Sequence, residues 1–231
     1  MGITSQSFRL LVMTGVAASM TSVASAGPDW IEDGDAGSTL GTAQDITPVG
    51  PVQTIAGTLS SVDQEDVYQL VILDGDNIAG PAQFGLTLGE GSNFNPSLWL
   101  FDSAGFGVLG NDDDPIEGGP GARLITPSTD GVTLMLPPGI YYLAITESGN
   151  VPLSFRESAG LGAGSFEEIF SFASTTEVSG PDGIGFDNPL AAWSGESEGT
   201  GGGYGVTITP APGSAMVLAA AGVGLTRRRR A

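Results

Sequence analysis

Apolar and polar residues alternate with a period of two in short runs along most of this chain, and no helical period is convincing outside its two ends. Val52 to Leu59 opens the series, followed by Val67 to Leu73 and by Phe84, Leu86 and Leu88 with Gln83, Gly85 and Thr87 between them. Val132, Leu134 and Leu136 around Thr133 continue it, then Ile140 to Thr146, then Tyr204, Val206 and Ile208. Gly, Pro, Asp and Asn separate the runs, and Pro137-Pro138-Gly139 reads as the turn into Ile140. Repeated short strands with this punctuation predict an all-β fold, an antiparallel β-sandwich. One run breaks the alternation: Leu98-Trp99-Leu100-Phe101 is apolar at every position. A strand apolar on both faces belongs between two layers. Asp102-Ser103-Ala104-Gly105 then supplies side chains that cap their own backbone and a glycine that accepts positive φ, and Phe106 to Leu109 forms the return strand. The hairpin so predicted carries its acidic end, Asn111 to Asp114, to the rim of the sandwich.

Between Ser148 and Gly203 the pattern loosens. Phe166 to Phe172 reads as a strand or one helical turn, and Gly180 to Trp193 is punctuated too often for either to run long. This insert, 148–203, is expected to be an elaborated loop laid over the sandwich through Phe170, Phe172, Phe186 and Trp193, with Glu196 to Gly203 a flexible lead into the last strand.

The two ends differ from the body. Met1 to Ala26 reads as a secretory signal: Arg9 precedes an apolar run, and Ala24-Ser25-Ala26 places small residues at the cleavage position. Residues 27–209 then form one domain-sized body. Beyond it Pro210-Ala211-Pro212-Gly213 precedes the apolar stretch Ser214 to Thr226 and the run Arg227, Arg228, Arg229, Arg230. As a helix that stretch covers about 20 Å against a hydrocarbon core of about 30 Å, so it spans only marginally, with its arginines held on the cytoplasmic side. A break, an apolar helix and a basic stop describe a processing and retention signal, with membrane contact through this C-terminal helix alone.

Charge and composition narrow the chemistry. The net charge is −19, every acid lies between Asp29 and Glu198, and removal of both ends leaves two arginines against 26 acids, a net −24. Such a surface repels nucleic acid and anionic lipid and attracts cations, and it also suits a solvating role in salty surroundings. With no cysteine and no histidine, thiolate nucleophiles, Ser-His triads and zinc-protease or zinc-finger sites are excluded. Carboxylates remain for acid–base work, but no aspartic-protease motif is present, since Thr129-Asp130-Gly131 and Asp102-Ser103-Ala104 do not fit one. Two carboxylates suffice for a glycosidase, and nothing singles out a pair. Gly199 to Gly205 lacks the lysine of a phosphate loop and leads into a strand.

Asn111, Asp112, Asp113 and Asp114 are the metal candidates, because adjacent carboxylates at a strand end repel one another and a bound Ca²⁺ would offset that repulsion with the hard oxygen ligands it needs. On an extended segment Asp112 and Asp114 point one way and Asp113 the other, so solvation of the rim is the competing reading. Asp63, Glu65 and Asp66 form a second acidic cluster, in which Asp66 reads as the cap of a turn at the strand start; Asp33 and Asp35 read as a turn. Trp99 belongs to the core, whereas Trp193, in the glycine-rich insert, is the candidate for stacking on carbohydrate, with packing as its alternative.

Two resemblances rest on these residues. The tail resembles the PEP-CTERM class of sorting signals, with Ala211 where the name-giving Glu would stand. That likeness implies cleavage near Pro210 to Gly213 by an exosortase-type membrane protease and delivery to the cell envelope or extracellular matrix. The body resembles the bacterial pre-peptidase C-terminal (PPC) domain through Gly57-Thr58-Leu59, Asp66-Val67-Tyr68, Leu98 to Asp102 with Gly105, Asn111-Asp112-Asp113, and Gly139 to Ile145. The resemblance implies a jelly-roll-like β-sandwich that accompanies secreted enzymes as a non-catalytic module and in some members binds calcium. The expected function is that of a secreted, non-enzymatic, structural or adhesive protein, transiently or permanently tethered by its C-terminus, with exopolysaccharide or other envelope components as partners. A carbohydrate-binding module built around Trp193 is the alternative, and a secreted carboxylate-dependent hydrolase the third reading.

Overall fold

A computed structural model describes residues 30–72, 83–88, 94–157, 164–197 and 199–209. The signal segment with Ala24 and Ala26, the motif Pro210 to Gly213, the apolar run after it and Arg227 to Arg230 lie outside the described residues. Among the described residues no helix is long and apolar enough to cross a membrane.

The chain folds as an all-β sandwich. Its first five-stranded sheet contains β1 (Trp30–Ile31), β3 (Thr54–Leu59), β13 (Gly202–Thr209), β5 (Gln83–Leu88) and β8 (Arg123–Ile125), in that spatial order. The second contains β2 (Gln44–Asp45), β4 (Glu65–Ile72), β9 (Gly139–Glu147), β6 (Pro96–Asp102) and β7 (Gly107–Asn111). Pairing is antiparallel except for the two-residue strands β1 and β2, which run parallel to β3 and β4. The lead-in from Trp30 to Asp45 therefore touches the edge of one sheet and then of the other. Its loop is tied to the second sheet where Gly37 O accepts from Val67 N at 2.9 Å.

Period-two alternation accounts for the core. Ile55, Leu59, Tyr68, Leu70, Phe84, Leu98, Leu100, Leu143, Ile145 and Val206 are buried between the two sheets. The predicted hairpin is β6–β7, and its turn is built as the sequence implies: Asp102 Oδ1 accepts from Ala104 N (2.8 Å) and Phe106 N (3.0 Å), and Gly105 has φ +87°. Burial of β6 on both faces has two separate causes. Leu98 and Leu100 face the opposite sheet, whereas Trp99 and Phe101 face outward into a second cluster with Val67, Ala144, Ile169 and Phe170.

The insert supplies the cover for that outer face, as a sheet and not as a loop. β10 (Pro152–Glu157) is the central strand, paired with β11 (Gly164–Glu168) and β12 (Leu190–Trp193), both antiparallel. Phe170 and Phe172 lie against Trp99, at ring-centroid separations of 5.5 and 5.7 Å, and Trp193 stands edge-on to Phe101 at 6.3 Å. Phe186, expected to join this packing, is instead 51% exposed. Alternation fails to reveal the sheet because its strands are only four to six residues long and are partly exposed on both faces.

Two further expectations are corrected. Val132 to Leu136 is not a strand: Val132, Leu134 and Met135 are exposed, and Arg123–Ile125 occupies the edge beside β5. The segment is held by loop hydrogen bonds, Ser128 N to Thr133 O and Thr133 Oγ1 to Val108 O. The residues before β13 are not a loose lead, because the buried Glu147 carboxylate accepts from Gly199 N (2.6 Å), Thr200 Oγ1 (2.9 Å) and Gly201 N.

Candidate metal centre

Three carboxylates meet at the end of the sandwich closed by the lead-in. Glu32 follows β1, Asp63 lies in the β3–β4 turn, and Asp66 is the second residue of β4; one oxygen from each lies within 4.8 Å of the others. Glu32 is oriented by backbone amides, its Oε1 accepting from Ala36 N (3.2 Å) and its Oε2 from Thr58 N (2.8 Å). Asp63 is placed by a tight turn in which its backbone exchanges hydrogen bonds with Ser60. Asp66 has no solvent exposure. Its Oδ2 accepts from the Tyr204 hydroxyl (2.5 Å), which lies 2.8 Å from the Tyr68 hydroxyl, so that the pair of tyrosines bridges the two sheets. Its Oδ1 is buried without a hydrogen-bond partner.

A buried, half-satisfied carboxylate is costly, and its neighbours here make it more so. Burial pushes the Asp66 carboxyl up to about 8; the Tyr204 hydrogen bond opposes this, and the charges of Glu32, Asp63 and Asp35 add to it. Asp63 is pushed up to about 6 by burial and then by Asp35, Glu32 and Glu65. Burial, with the neighbouring Tyr68 and Asp66, holds the Tyr204 hydroxyl far above its ordinary range, so Tyr204 remains a donor. Among the described residues Arg123 and Arg156 are the only cationic side chains, and the ion pairs of Arg123 are with Asp114 and Glu117. The cluster is therefore a concentration of negative charge with no protein counter-ion in it.

Gly57 keeps the centre open. A Cβ there would stand 2.3 Å from the Tyr204 hydroxyl and 2.8 Å from Glu32 Oε2, so two of the polar groups around Asp66 occupy space that a side chain would fill. Three hard oxygen donors, one of them buried and unpaired, suit Ca²⁺ better than a soft or imidazole-seeking metal.

The residues predicted from sequence are placed differently. Asn111 is buried as a structural amide, its Nδ2 donating to Glu177 O and its Oδ1 accepting from Arg123 N. Asp112 accepts from Ser97 Oγ (2.7 Å) and Ser148 Oγ (3.0 Å); burial raises its carboxyl against these bonds. The Asp113 backbone N–H donates to Thr175 O. Asp114 caps the following turn through Ile116 N and Glu117 N and pairs with Arg123 at 2.7 Å; these donors outweigh burial and hold it below the usual range. The four are thus engaged separately, and they do not form a three-carboxylate group like that at Asp66. Asp114→Asn, which removes the one ion pair closer than 3 Å among the described residues, should lower stability by about 1–3 kcal/mol in urea unfolding.

Trp193 donates from its indole nitrogen to Ser38 O at 2.7 Å and stands edge-on to Phe101 at 6.3 Å, so its half-buried ring is engaged in the packing of the insert. Asp66, read as a turn cap, is instead an inward-facing strand residue. The signal for this was present: Tyr68, Leu70 and Ile72 are core residues, and a period of two carried back from them puts Asp66 on the same face. Glu32 has no such signal, because it reaches the site through the lead-in. Compared with known proteins, the chain matches no protein-family model and no curated relative.

Proposed function

We propose that this chain is an exported, non-enzymatic β-sandwich protein of the bacterial cell envelope or matrix, structural or adhesive in its work, whose acidic end is closed by Ca²⁺ at Glu32, Asp63 and Asp66. The observation that carries the reading is the unpaired, fully buried Asp66 Oδ1 beside two further carboxylates and no cationic side chain. Ca²⁺ at this point would neutralise the cluster and fix the lead-in, the β3–β4 turn and, through Tyr204, the last strand. The resemblance to PPC domains supports a jelly-roll-like arrangement and a non-catalytic role. The resemblance of the tail to PEP-CTERM signals supports export and processing by an exosortase-type protease.

If millimolar Ca²⁺ exceeds the dissociation constant a hundredfold, it stabilises by about 2.7 kcal/mol, which raises the unfolding midpoint by roughly 5–10 °C for a domain of this size. Calorimetry in chelator and in calcium should show that rise in the parent protein and its loss in Asp63→Asn. Equal midpoints in the two buffers would remove calcium from the proposal. Intact mass in fractionated cells tests the sorting half separately: both ends should be missing from the envelope-bound or released form.

A further inference from the structure

A cleft of about 470 Å³ opens beside β11 on the insert. Leu153 and Phe170 form part of its wall, Phe166 and Ile184 stand 54% and 65% exposed at it, and Glu167, Glu168 and Asp182 supply carboxylates. Its volume lies within the range of specific binding sites. Phe155, 42% exposed, is paired directly with Phe166, their rings 5.4 Å apart at an interplanar angle of 65°. Rings set edge to face offer a notch for an apolar side chain and no flat platform for a sugar. Apolar exposure and uncompensated acid therefore coincide here, and the one cation near them, Arg156, donates to Ile184 O and makes no ion pair among the described residues. A second copy of this chain, with 26 acids against two arginines in its body, would be repelled from such a face.

We propose that this cleft docks a basic peptide segment of a partner protein, one aliphatic or aromatic side chain seated against Phe166 and Ile184 and flanking Lys or Arg side chains set against Glu167, Glu168 and Asp182. The apolar anchor supplies affinity, and the carboxylates supply steering and orientation. Neither uses the carboxylates of Glu32, Asp63 and Asp66, which are not among the residues of the cleft.

The test is fluorescence anisotropy of the purified protein with a fluorescein-labelled peptide of alternating arginine and leucine. Binding should weaken about tenfold in Phe166→Ser and in Ile184→Ser and about threefold in Glu168→Gln. It should be unchanged in Glu117→Gln, which removes the same charge outside the cleft. Since Phe166 and Ile184 are more than half exposed, both variants should keep the parent's unfolding midpoint. Equal weakening in Glu117→Gln and Glu168→Gln with none in Phe166→Ser would reduce the interaction to diffuse charge attraction and overturn the proposal. So would binding of a neutral cello-oligosaccharide by a protein that ignores the peptide.

Discussion

With divalent cations chelated, raising the pH from 5 to 9 should lower the unfolding free energy of this protein by roughly 5 kcal/mol, the reverse of the usual behaviour of an acidic protein on leaving acid. The cause is Asp66, whose carboxyl keeps its proton up to about 8 in the folded state, against an ordinary value of 3.8 once the chain unfolds. Between those values the folded protein binds more protons than the unfolded one, so stability falls as the pH climbs and is lowest above 8. Asp63, raised to about 6, adds to the first part of the fall. Asp114, Asp130 and Glu147 are held below the ordinary range by their hydrogen-bond donors, so they act in the other direction and set an acid limb below pH ~4. Urea unfolding across the pH range measures the profile. Asp66→Asn should flatten the alkaline fall while leaving the acid limb in place; an unchanged fall in that variant would take the effect away from Asp66.

Trp99→Ala should cost about 4 kcal/mol, in the upper part of the range for single core substitutions. Trp99 is 1% exposed, lies against Phe170 and Phe172, and donates from its indole nitrogen to Thr146 Oγ1 at 2.9 Å. Truncation leaves a cavity between the second sheet and the insert and takes away the donor to the buried Thr146 hydroxyl. Thr146 Oγ1 in turn donates to Asn150 O, where the chain leaves β9 for the insert, so the loss spreads to the first turn of the covering layer. Phe186→Ala, at a half-exposed ring of the same insert, should stay within about 0.5 kcal/mol of the parent. Chemical denaturation of both variants reads the contrast directly.

The two outcomes also separate what the sequence could tell from what it could not. The unbroken apolar run Leu98 to Phe101 demanded layers on both sides, and alternation in β4, β5, β9 and β13 placed the sandwich core. What covers the outer face was harder to read, because β10, β11 and β12 are short, half-exposed strands and β12 reaches its partner β10 from more than 30 residues further along the chain. Val132 to Leu136 failed in the opposite sense: its alternation is genuine, but Val132 and Leu134 face water and only Leu136 reaches the core. The run Asn111 to Asp114 drew notice as a local concentration of acid, yet local density is no guide to convergence. Glu32, Asp63 and Asp66 are separated in sequence and meet because the lead-in crosses from one sheet edge to the other.

That crossing bears on the order in which the protein can mature. The acidic end is completed by Glu32, among the first described residues, and by Tyr204, on the last strand, which also lies between β3 and β5 in the centre of its sheet. Contacts spanning so much of the chain fold slowly, since the loop must close before they can form. In a chain threaded through a membrane from its amino end, β13, which carries Tyr204, would be the last of the described strands to emerge. On the proposed reading, with export from the amino end and Ca²⁺ at Glu32, Asp63 and Asp66, closure of that centre would come late in translocation, and the outside of the cell would be the first place the domain could lock.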